Sequence, residues 1–170
     1  AFEDFNTTSE EAIKYSSYFN ADAELAFHYQ PEAQNFFHKA KLIGDLGCGK
    51  GASTLFAHAI CPNANILTVD NNQIPFNDLV VLLGGKHKEH FKMSIQQFLK
   101  ENRSTFDVLF VVKASHIIQP QDLPGLSKIV AKNGYLFQVH GDVELPNDTI
   151  KYFNPVYTAK SPWPVSILWQ

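Results

Sequence analysis

The sequence predicts a single three-layer α/β domain, in which a doubly wound and mostly parallel sheet is covered by helices on both faces. Two observations predict this class. Short apolar runs recur between residues 41 and 140, and segments with helical spacing lie between them. Strands that are apolar throughout and alternate with helices are typical of a parallel sheet that is buried on both faces. The length of 170 residues, of which 45% are hydrophobic, fits one such domain.

Five apolar runs are predicted to be the parallel strands. They are AKLIGDL, NILTVD, HFKMS, FDVLFVV and GYLFQVH. The predicted helices between them are ASTLFAHAI, QIPFNDLVVLL, IQQFLKE and LPGLSKIVAK, and the last is expected to end in a turn at Asn133 and Gly134. The basic stretch GGKHKEHFK is interpreted as a solvated loop before the third strand. Its histidines His87 and His90 have no third ligand nearby, so no metal site is predicted.

The first 40 residues are predicted to be helical. Thr7 or Thr8 can cap a helix whose first turn carries Glu10 and Glu11 in capping-box spacing, and Pro31 can begin another. Residues 1–40 are therefore predicted to form an N-terminal helical lid, and residues 41–170 the ligand-binding domain.

The last 22 residues depart from the alternation of strand and helix. The stretch TIKYFNPVYTAKSPWPVSILWQ reads as two strands around a turn at Ser161 and Pro162. This pattern predicts a C-terminal antiparallel hairpin beside the five parallel strands.

Composition restricts the partners and the compartment. The 14 basic and 17 acidic residues give a net charge of -3, which lacks the positive footprint of a protein that binds long nucleic acids. A small-molecule substrate is predicted, without a nucleic-acid or membrane partner, and the oligomeric state stays open. Cys48 and Cys61 are interpreted as reduced thiols, which favours a cytoplasmic protein. The sequence has neither an apolar run long enough for a membrane span nor an N-terminal signal pattern.

The stretch LIGDLGCGKGAS, residues 42–53, fits three kinds of ligand loop. A phosphate loop requires Ser or Thr after the lysine to bind magnesium, and Gly51 stands there instead. A dinucleotide loop fits better, because Asp70 at the end of the next strand is placed to bind a ribose. The carboxylate of Asp45, however, would make no favourable interaction with a pyrophosphate, whereas a ligand that carries an ammonium group would pair with it. Taken singly, Asp45 and the glycines can also serve only to form a tight turn.

The same residues resemble a known family. The stretch LIGDLGCGKG resembles the first motif of the class I, Rossmann-like S-adenosylmethionine-dependent methyltransferases, commonly written D-x-G-C-G-x-G. The stretch ILTVDNN resembles the second motif, whose acid maps onto Asp70. The fourth-strand, fifth-strand and last-strand regions of the family resemble FDVLFVVKASHII, LSKIVAKNGYLFQVHG and SPWPVSILWQ. The resemblance covers residues 41–170.

The resemblance implies a cofactor, S-adenosyl-L-methionine, and a set of residues that hold it. These predicted cofactor-binding residues are Asp45, Gly47, Cys48, Gly49, Asp70, Asn71, Ser94, Ile95 and Lys113. Ser94 stands where the family often has an acid that contacts the adenine, and its hydroxyl is a weaker acceptor than a carboxylate. The stretch DVELPND is a second departure, because many relatives carry a helix or a substrate-covering insertion at that place.

The predicted reaction is in-line transfer of a methyl group to a small-molecule acceptor, which depends mainly on alignment. His116 is the candidate catalytic residue, because it follows the fourth strand and can take a proton from the acceptor. His140 lies at the carboxyl end of the fifth strand and is a weaker candidate. Two alternatives stay open: a non-catalytic module that binds S-adenosylmethionine, and an NAD-dependent dehydrogenase.

Overall fold

The computed structural model describes residues 31–49, 51–71, 83–140, 143–159 and 165–170. Three sequence predictions lie largely or wholly outside the described residues. They are residues 1–30 of the lid, residues 73–82 of one predicted helix, and the turn at Ser161 and Pro162.

The described residues form one seven-stranded sheet with four α-helices. The helices are α1 (Pro31–Lys39), α2 (Ala52–Ile60), α3 (Ile95–Glu101) and α4 (Leu123–Ile129). The strands are β1 (Leu42–Leu46), β2 (Asn65–Asp70), β3 (His87–Lys92), β4 (Phe106–Val112), β5 (Val130–His140), β6 (Pro155–Ala159) and β7 (Val165–Trp169). Their order is β3-β2-β1-β4-β5-β7-β6. The pairs among the first five are parallel, and β7 is antiparallel to both β5 and β6. The predicted fold class is confirmed.

Two apolar clusters lie on the two faces of the sheet. Phe37 of α1 and Phe56 of α2 belong to one cluster, with Phe110 and Phe137 of the central strands. The other cluster contains Phe98 of α3, Leu126 of α4 and the alternate strand residues, such as Leu109 and Leu136. Because successive side chains of a strand point to opposite faces, β4 and β5 contribute to both clusters. This explains why both strands carry apolar residues on both faces over most of their buried length.

The third strand departs from the sequence interpretation. GGKHKEHFK was expected to be a solvated loop, but its residues from His87 onward form β3, and His87 is buried. A bulge shifts the pairing between β2 and β3, so that Ile66 faces His87 while Leu67 faces Glu89. The bulge places His87 and His90 on one face of the strand, where strict alternation would separate them. Both rings lie 2.9 Å from the hydroxyl of Thr68, through Nε2 of His87 and Nδ1 of His90.

The fourth helix and the fifth strand meet earlier than expected. The helix was predicted to continue to residue 132, but α4 ends at Ile129 and β5 begins at Val130. Asn133 does adopt the left-handed conformation of a turn, with φ of 65°. Gly134 follows, where a Cβ atom would lie 2.7 Å from the carbonyl oxygen of Asp107. The turn therefore belongs to an irregular start of β5, which crosses close to β4, and not to the helix end.

Helix α1 is the described part of the predicted lid. Ala33, Phe37 and Ala40 are buried in the core, and Phe36 and Phe37 make edge-on contacts with Tyr135 of β5. This segment thus packs on the sheet, and a covering role remains a prediction for residues 1–30. None of the described helices is long and apolar enough to cross a membrane.

Candidate functional site

The crevice between the loops that follow β1 and β4 is the candidate site. The strand order runs in opposite directions on either side of these two neighbours, and open α/β sheets bind ligands at such a point, beyond the carboxyl ends of the strands. Gly47 and Ala114 bring the two loops together, because a Cβ atom on Gly47 would lie 2.7 Å from the Cβ of Ala114. Any side chain at position 47 would push the loops apart.

The glycine loop has the backbone that its sequence predicts. Gly47, Gly49 and Gly51 have φ of 68°, 56° and 105°, a region that other residues rarely adopt. The backbone amides of Gly47 and Cys48 donate to the carbonyl oxygen of Val69 at 2.7 and 3.2 Å, which holds the loop over the end of β2. A Cβ atom on Gly49 would meet no described atom within 4 Å. Within the described part of the chain, Gly49 therefore borders space into which a ligand can fit.

Asp70 lies at the end of β2 and contacts the loop directly. Its Oδ2 accepts a hydrogen bond from the backbone amide of Gly49 at 3.0 Å, and its side chain is mostly buried. The next residue, Asn71, is exposed. The structure therefore brings Asp70 and the glycine loop together, as the proposed ribose site requires.

Asp45 is the most unusual group of the site. It is fully buried at the end of β1, and the hydroxyls of Ser53 and Thr54 in α2 each donate to its Oδ2 at 2.8 Å. The other oxygen, Oδ1, is buried and has no hydrogen-bond partner within the described part of the chain. Burial raises the pKa of Asp45 to about 6, the two hydroxyls oppose this shift, and the negative charge of Asp70 adds to it. A cationic ligand group would satisfy this carboxylate.

Cys48 of the loop has a packing role in the structure. Its side chain is buried against Leu83 and Leu55. Burial raises the pKa of the thiol well above its ordinary value, and the charges of Asp45 and Asp70 act in the same direction. The thiol is therefore protonated at neutral pH and unreactive. Lys50, the lysine of the same motif, lies outside the described residues.

Ser94 and Ile95 lie at the start of α3. The Ser94 hydroxyl oxygen caps this helix by accepting a hydrogen bond from the backbone amide of Gln97 at 3.1 Å. A hydroxyl retains a proton to donate while it accepts, so Ser94 can cap the helix and still contact a ligand. Ile95 lies near Gly47, since its Cδ1 is 3.7 Å from the position of a Cβ on that glycine. The structure thus joins Ile95 to the glycine loop.

The loop after β4 carries the remaining candidates. Lys113 is exposed with φ of 59°, and its backbone amide donates to the carbonyl oxygen of Val139 at 2.7 Å. His116 is exposed on a 3-10 helix, Ser115–Ile117. His140 at the end of β5 is buried. An exposed imidazole at this edge can exchange protons with an acceptor, and a buried one is less accessible to it.

A buried polar network that supports this loop was missed from the sequence. Gln138 is fully buried in β5, where its Oε1 accepts from Trp169 Nε1 at 2.9 Å and its Nε2 donates to Ser115 Oγ at 3.2 Å. On the other side, Gln96 Nε2 donates to the carbonyl oxygen of Ile117 at 2.9 Å. The network fixes the two residues that flank His116. The only sequence signal was a glutamine within the apolar strand GYLFQVH.

Solved structures with the same fold identify the architecture. An O-methyltransferase family protein from Burkholderia thailandensis matches 79% of this chain and 52% of its own length, with a TM-score of 0.61 and 12% identity. The N-methyltransferase NodS from Bradyrhizobium japonicum WM9, solved with S-adenosyl-L-homocysteine, matches 83% of this chain and 86% of its own, with a TM-score of 0.55 and 14% identity. The chain has the class I methyltransferase fold. The ribosomal protein L11 methylase from Lactobacillus delbrueckii subsp. bulgaricus shares this methyltransferase fold, with a TM-score of 0.57, 15% identity, and 76% and 68% of the two chains covered.

Sequence comparison adds one short match, and no family model matches the chain. The ribosomal RNA large subunit methyltransferase G of Pseudoalteromonas translucida (strain TAC 125) is 50% identical over 50 residues. These residues are 29% of this chain and 12% of that protein, so the similarity spans only a small part of the relative. This match contradicts the prediction of a small-molecule substrate without nucleic acid, which was wrong in excluding RNA.

The error came from treating net charge as evenly distributed. Residues 1–30 contain six acidic residues and one lysine, so residues 31–170 contain 13 basic and 11 acidic residues. The methyltransferase-fold portion thus has a net charge of +2, and the whole-chain value of -3 is due to the first 30 residues. Binding of a polyanion depends on the local potential of a surface, which the sum over a chain does not report.

Proposed function

We propose that the protein is an S-adenosylmethionine-dependent methyltransferase. The observation that carries this proposal is the fully buried carboxylate of Asp45, whose Oδ1 lacks a described partner beside a glycine loop that borders open space. A pyrophosphate would be repelled by this carboxylate, which argues against NAD. A ligand with an ammonium group and no phosphate fits it.

The residues of the crevice would divide the work of holding the cofactor. Asp45 would pair with the ammonium group, Asp70 would bind the ribose hydroxyls, and Ser94 and Ile95 would border the adenine. The bare backbone at Gly49 would allow close approach. The cofactor supplies a methyl group already activated by a sulfonium, so the protein's own task is to align the acceptor and to exclude water. His116, exposed beside the loop after β4, would accept the proton of the acceptor.

We propose RNA as the acceptor class. The short match to a ribosomal RNA methyltransferase supports this choice, and so does the positive net charge of residues 31–170. A cytoplasmic location agrees with it, because Cys48 and Cys61 are both free thiols buried in the structure.

The test incubates the full chain with methyl-labelled cofactor and separate pools of RNA, protein and small molecules. We compare the wild type with Gly49→Arg, whose side chain would fill the space beside the loop. The matched control is Gly84→Arg, since Gly84 has φ of 55°, lies before β3 and also has no described atom within 4 Å of a Cβ. Label in RNA with wild type and Gly84→Arg, but not with Gly49→Arg, is the expected result.

Other outcomes would decide between the alternatives. Label that enters only the protein or the small-molecule pool would overturn the RNA acceptor and keep the methyltransferase. Cofactor binding without transfer to any pool would support the alternative that the protein is a non-catalytic binding module. Calorimetry that shows tighter binding of NAD than of S-adenosylmethionine would restore the dehydrogenase.

A further inference from the structure

Cations are concentrated at the edge of the sheet opposite the candidate site. A parallel sheet gathers the amino ends of its strands at one edge, and the residues that lead into β3, β1, β4 and β5 are rich in lysine and arginine. Six of these cations define what we call the basic edge: Lys41, Lys86, Lys100, Arg103, Lys128 and Lys132. Five of them are exposed and Lys86 is half-buried.

Contacts of the described backbone place these residues side by side. Lys41 lies next to β4, because its backbone amide donates to Asp107 Oδ2 at 2.7 Å. Lys86 lies next to β2, because its carbonyl oxygen accepts from the amide of Ile66 at 2.9 Å. Arg103 is in the link from α3 to β4 and donates to the carbonyl oxygen of Lys100 at 3.0 Å. With strands about 4.8 Å apart, the row from β3 to β5 spans roughly 19 Å.

The charges of the basic edge are not neutralised locally. Its acidic residues are Glu101 and Asp107, and the Asp107 carboxylate accepts hydrogen bonds from the backbone amides of Lys41 and Leu42. Among the residues that the structure describes, the ion pair within 4 Å is Lys151 with Asp148, within the 3-10 helix Asn147–Lys151 that precedes β6. Six cations against two carboxylates leave a local charge of about +4, which favours a polyanion.

We infer that the basic edge is a docking surface for the phosphate backbone of RNA, separate from the cofactor crevice. The inference rests on the proposed RNA acceptor. A row of this length is suited to several successive phosphates, and phosphate contacts position a nucleic acid without reading its sequence. Five residues of parallel strand span about 17 Å. RNA held at the basic edge must therefore extend beyond it for a base to reach the carboxyl ends of the strands.

The test measures the affinity of the full chain for a labelled single-stranded 20-nucleotide RNA over a range of salt concentrations. In Lys128→Gln/Lys132→Gln, loss of two phosphate contacts should reduce the slope of log K against log salt by about 1.4. The same loss should weaken binding roughly 20-fold at 0.1 M salt. The control Lys92→Gln removes one exposed cation from the carboxyl end of β3 and should leave both quantities nearly unchanged, whereas each lysine of the basic edge should contribute about half of the effect of the double variant.

Each result separates this inference from the proposed function. An effect of Lys92→Gln per charge equal to that of Lys128→Gln/Lys132→Gln, or no effect of either variant, would overturn the basic edge even if methyl transfer to RNA is observed. Loss of RNA affinity at the basic edge, without methyl transfer by the wild type, would keep the docking surface and overturn the enzyme. Tighter binding to vesicles of phosphatidylserine and phosphatidylcholine than to RNA would assign the surface to a membrane instead. Unchanged binding of S-adenosylhomocysteine shows that the variants are folded.

Discussion

Asp70 Oδ2 and the backbone amide of Gly49 are joined by a hydrogen bond of 3.0 Å that connects the end of β2 to the middle of the glycine loop. One carboxylate therefore has two tasks. It holds the loop in its open shape, and it borders the space in which the ribose of the cofactor would lie. The sequence suggested only the second task, since Asp70 was singled out as the acid of the second motif.

The first prediction concerns Asp70→Asn. An amide oxygen can still accept from Gly49, so the unfolding free energy should change by less than about 1.5 kcal/mol. Affinity for S-adenosylmethionine should nevertheless fall by roughly 1.5–3 kcal/mol, the range for hydrogen bonds to a charged group. Calorimetry and thermal unfolding measure the two quantities. An unchanged affinity in the folded variant would mean that the ribose lies elsewhere.

The second prediction separates backbone strain from ligand contact at Gly49. Gly49→Ala and Gly84→Ala place a methyl group at nearly the same φ, 56° and 55°, and neither meets a described atom. Both should lose roughly 1–2 kcal/mol of stability. Gly49→Ala alone should lose cofactor affinity, because its methyl group occupies the space of the ligand. Equal affinities of the two variants would remove Gly49 from the site.

The third prediction is a pH dependence due to Asp45. Its pKa in the folded protein, about 6, lies above its ordinary 3.8, so the folded state binds this proton more tightly than the unfolded state. The stability from this group is fully present below pH 3.8 and is lost as the pH rises through 6. At about 1.4 kcal/mol per pKa unit the loss is about 3 kcal/mol. Asp45→Asn keeps an acceptor for Ser53 and Thr54 and should remove this part of the pH dependence.

The affinity for the cofactor should depend on the same protonation of Asp45, but it should rise with pH where the stability falls. An ammonium group favours the charged carboxylate, so affinity should rise with pH through 6 and be about tenfold weaker at pH 5 than at pH 7. Titration calorimetry in buffers of different ionisation enthalpy measures the proton released. An affinity that does not change between pH 5 and 7 in the wild type would exclude Asp45 as the partner of the ammonium group.

The fourth prediction tests His116. Its exposed side chain lies beyond the carboxyl end of β4, and it is not among the residues that we propose to hold the cofactor. His116→Gln should lower kcat by 10²–10⁴-fold, a typical contribution of a general base, while the Kd for the cofactor stays the same. Steady-state kinetics with the labelled RNA gives kcat. A kcat close to that of the wild type would mean that alignment alone suffices.

The fifth prediction concerns the two histidines around Thr68. Thr68→Val preserves the shape of a fully buried side chain but removes the hydroxyl 2.9 Å from both rings. It should cost about 1–3 kcal/mol, and Thr68→Ser, which keeps the hydroxyl, should cost less. Burial lowers the pKa of His87, and the charge of His90 lowers it further. Stability from His87 is thus present above pH 6.5 and lost as the pH falls through its folded pKa. Urea unfolding at pH 5 and 7.5 measures both effects.

Local patterns predicted the fold well where the governing forces are local. The bounds of α2, α3, β2 and β4 agree with the sequence, because apolar periodicity determines them. The bulge that buries His87 depends on how β3 pairs with β2, which no pattern within β3 reports. The bond between Gln138 and Trp169 joins residues 31 positions apart, and only the folded sheet brings them together.

The candidate site was predictable in part for the same reason. The glycine loop and Asp70 carry a recognisable motif, and the structure brings them into contact. The capping bond of Ser94 and the neighbours of Ser115 depend on side-chain positions that the sequence does not specify. The net charge misled the choice of partner because an acidic first segment concealed the basic remainder of the chain.

The parallel arrangement of β1 to β5 makes the two edges of the sheet respond to different solution conditions. Protonation of the buried Asp45 would control cofactor binding at the carboxyl edge near pH 6. At the amino edge, counterions would compete with RNA phosphates for the lysines and Arg103 of the basic edge. Acidity and ionic strength would then act as independent controls of the two binding events in one small domain. Substitution of the surface cations alone would then weaken RNA binding and leave cofactor binding unchanged.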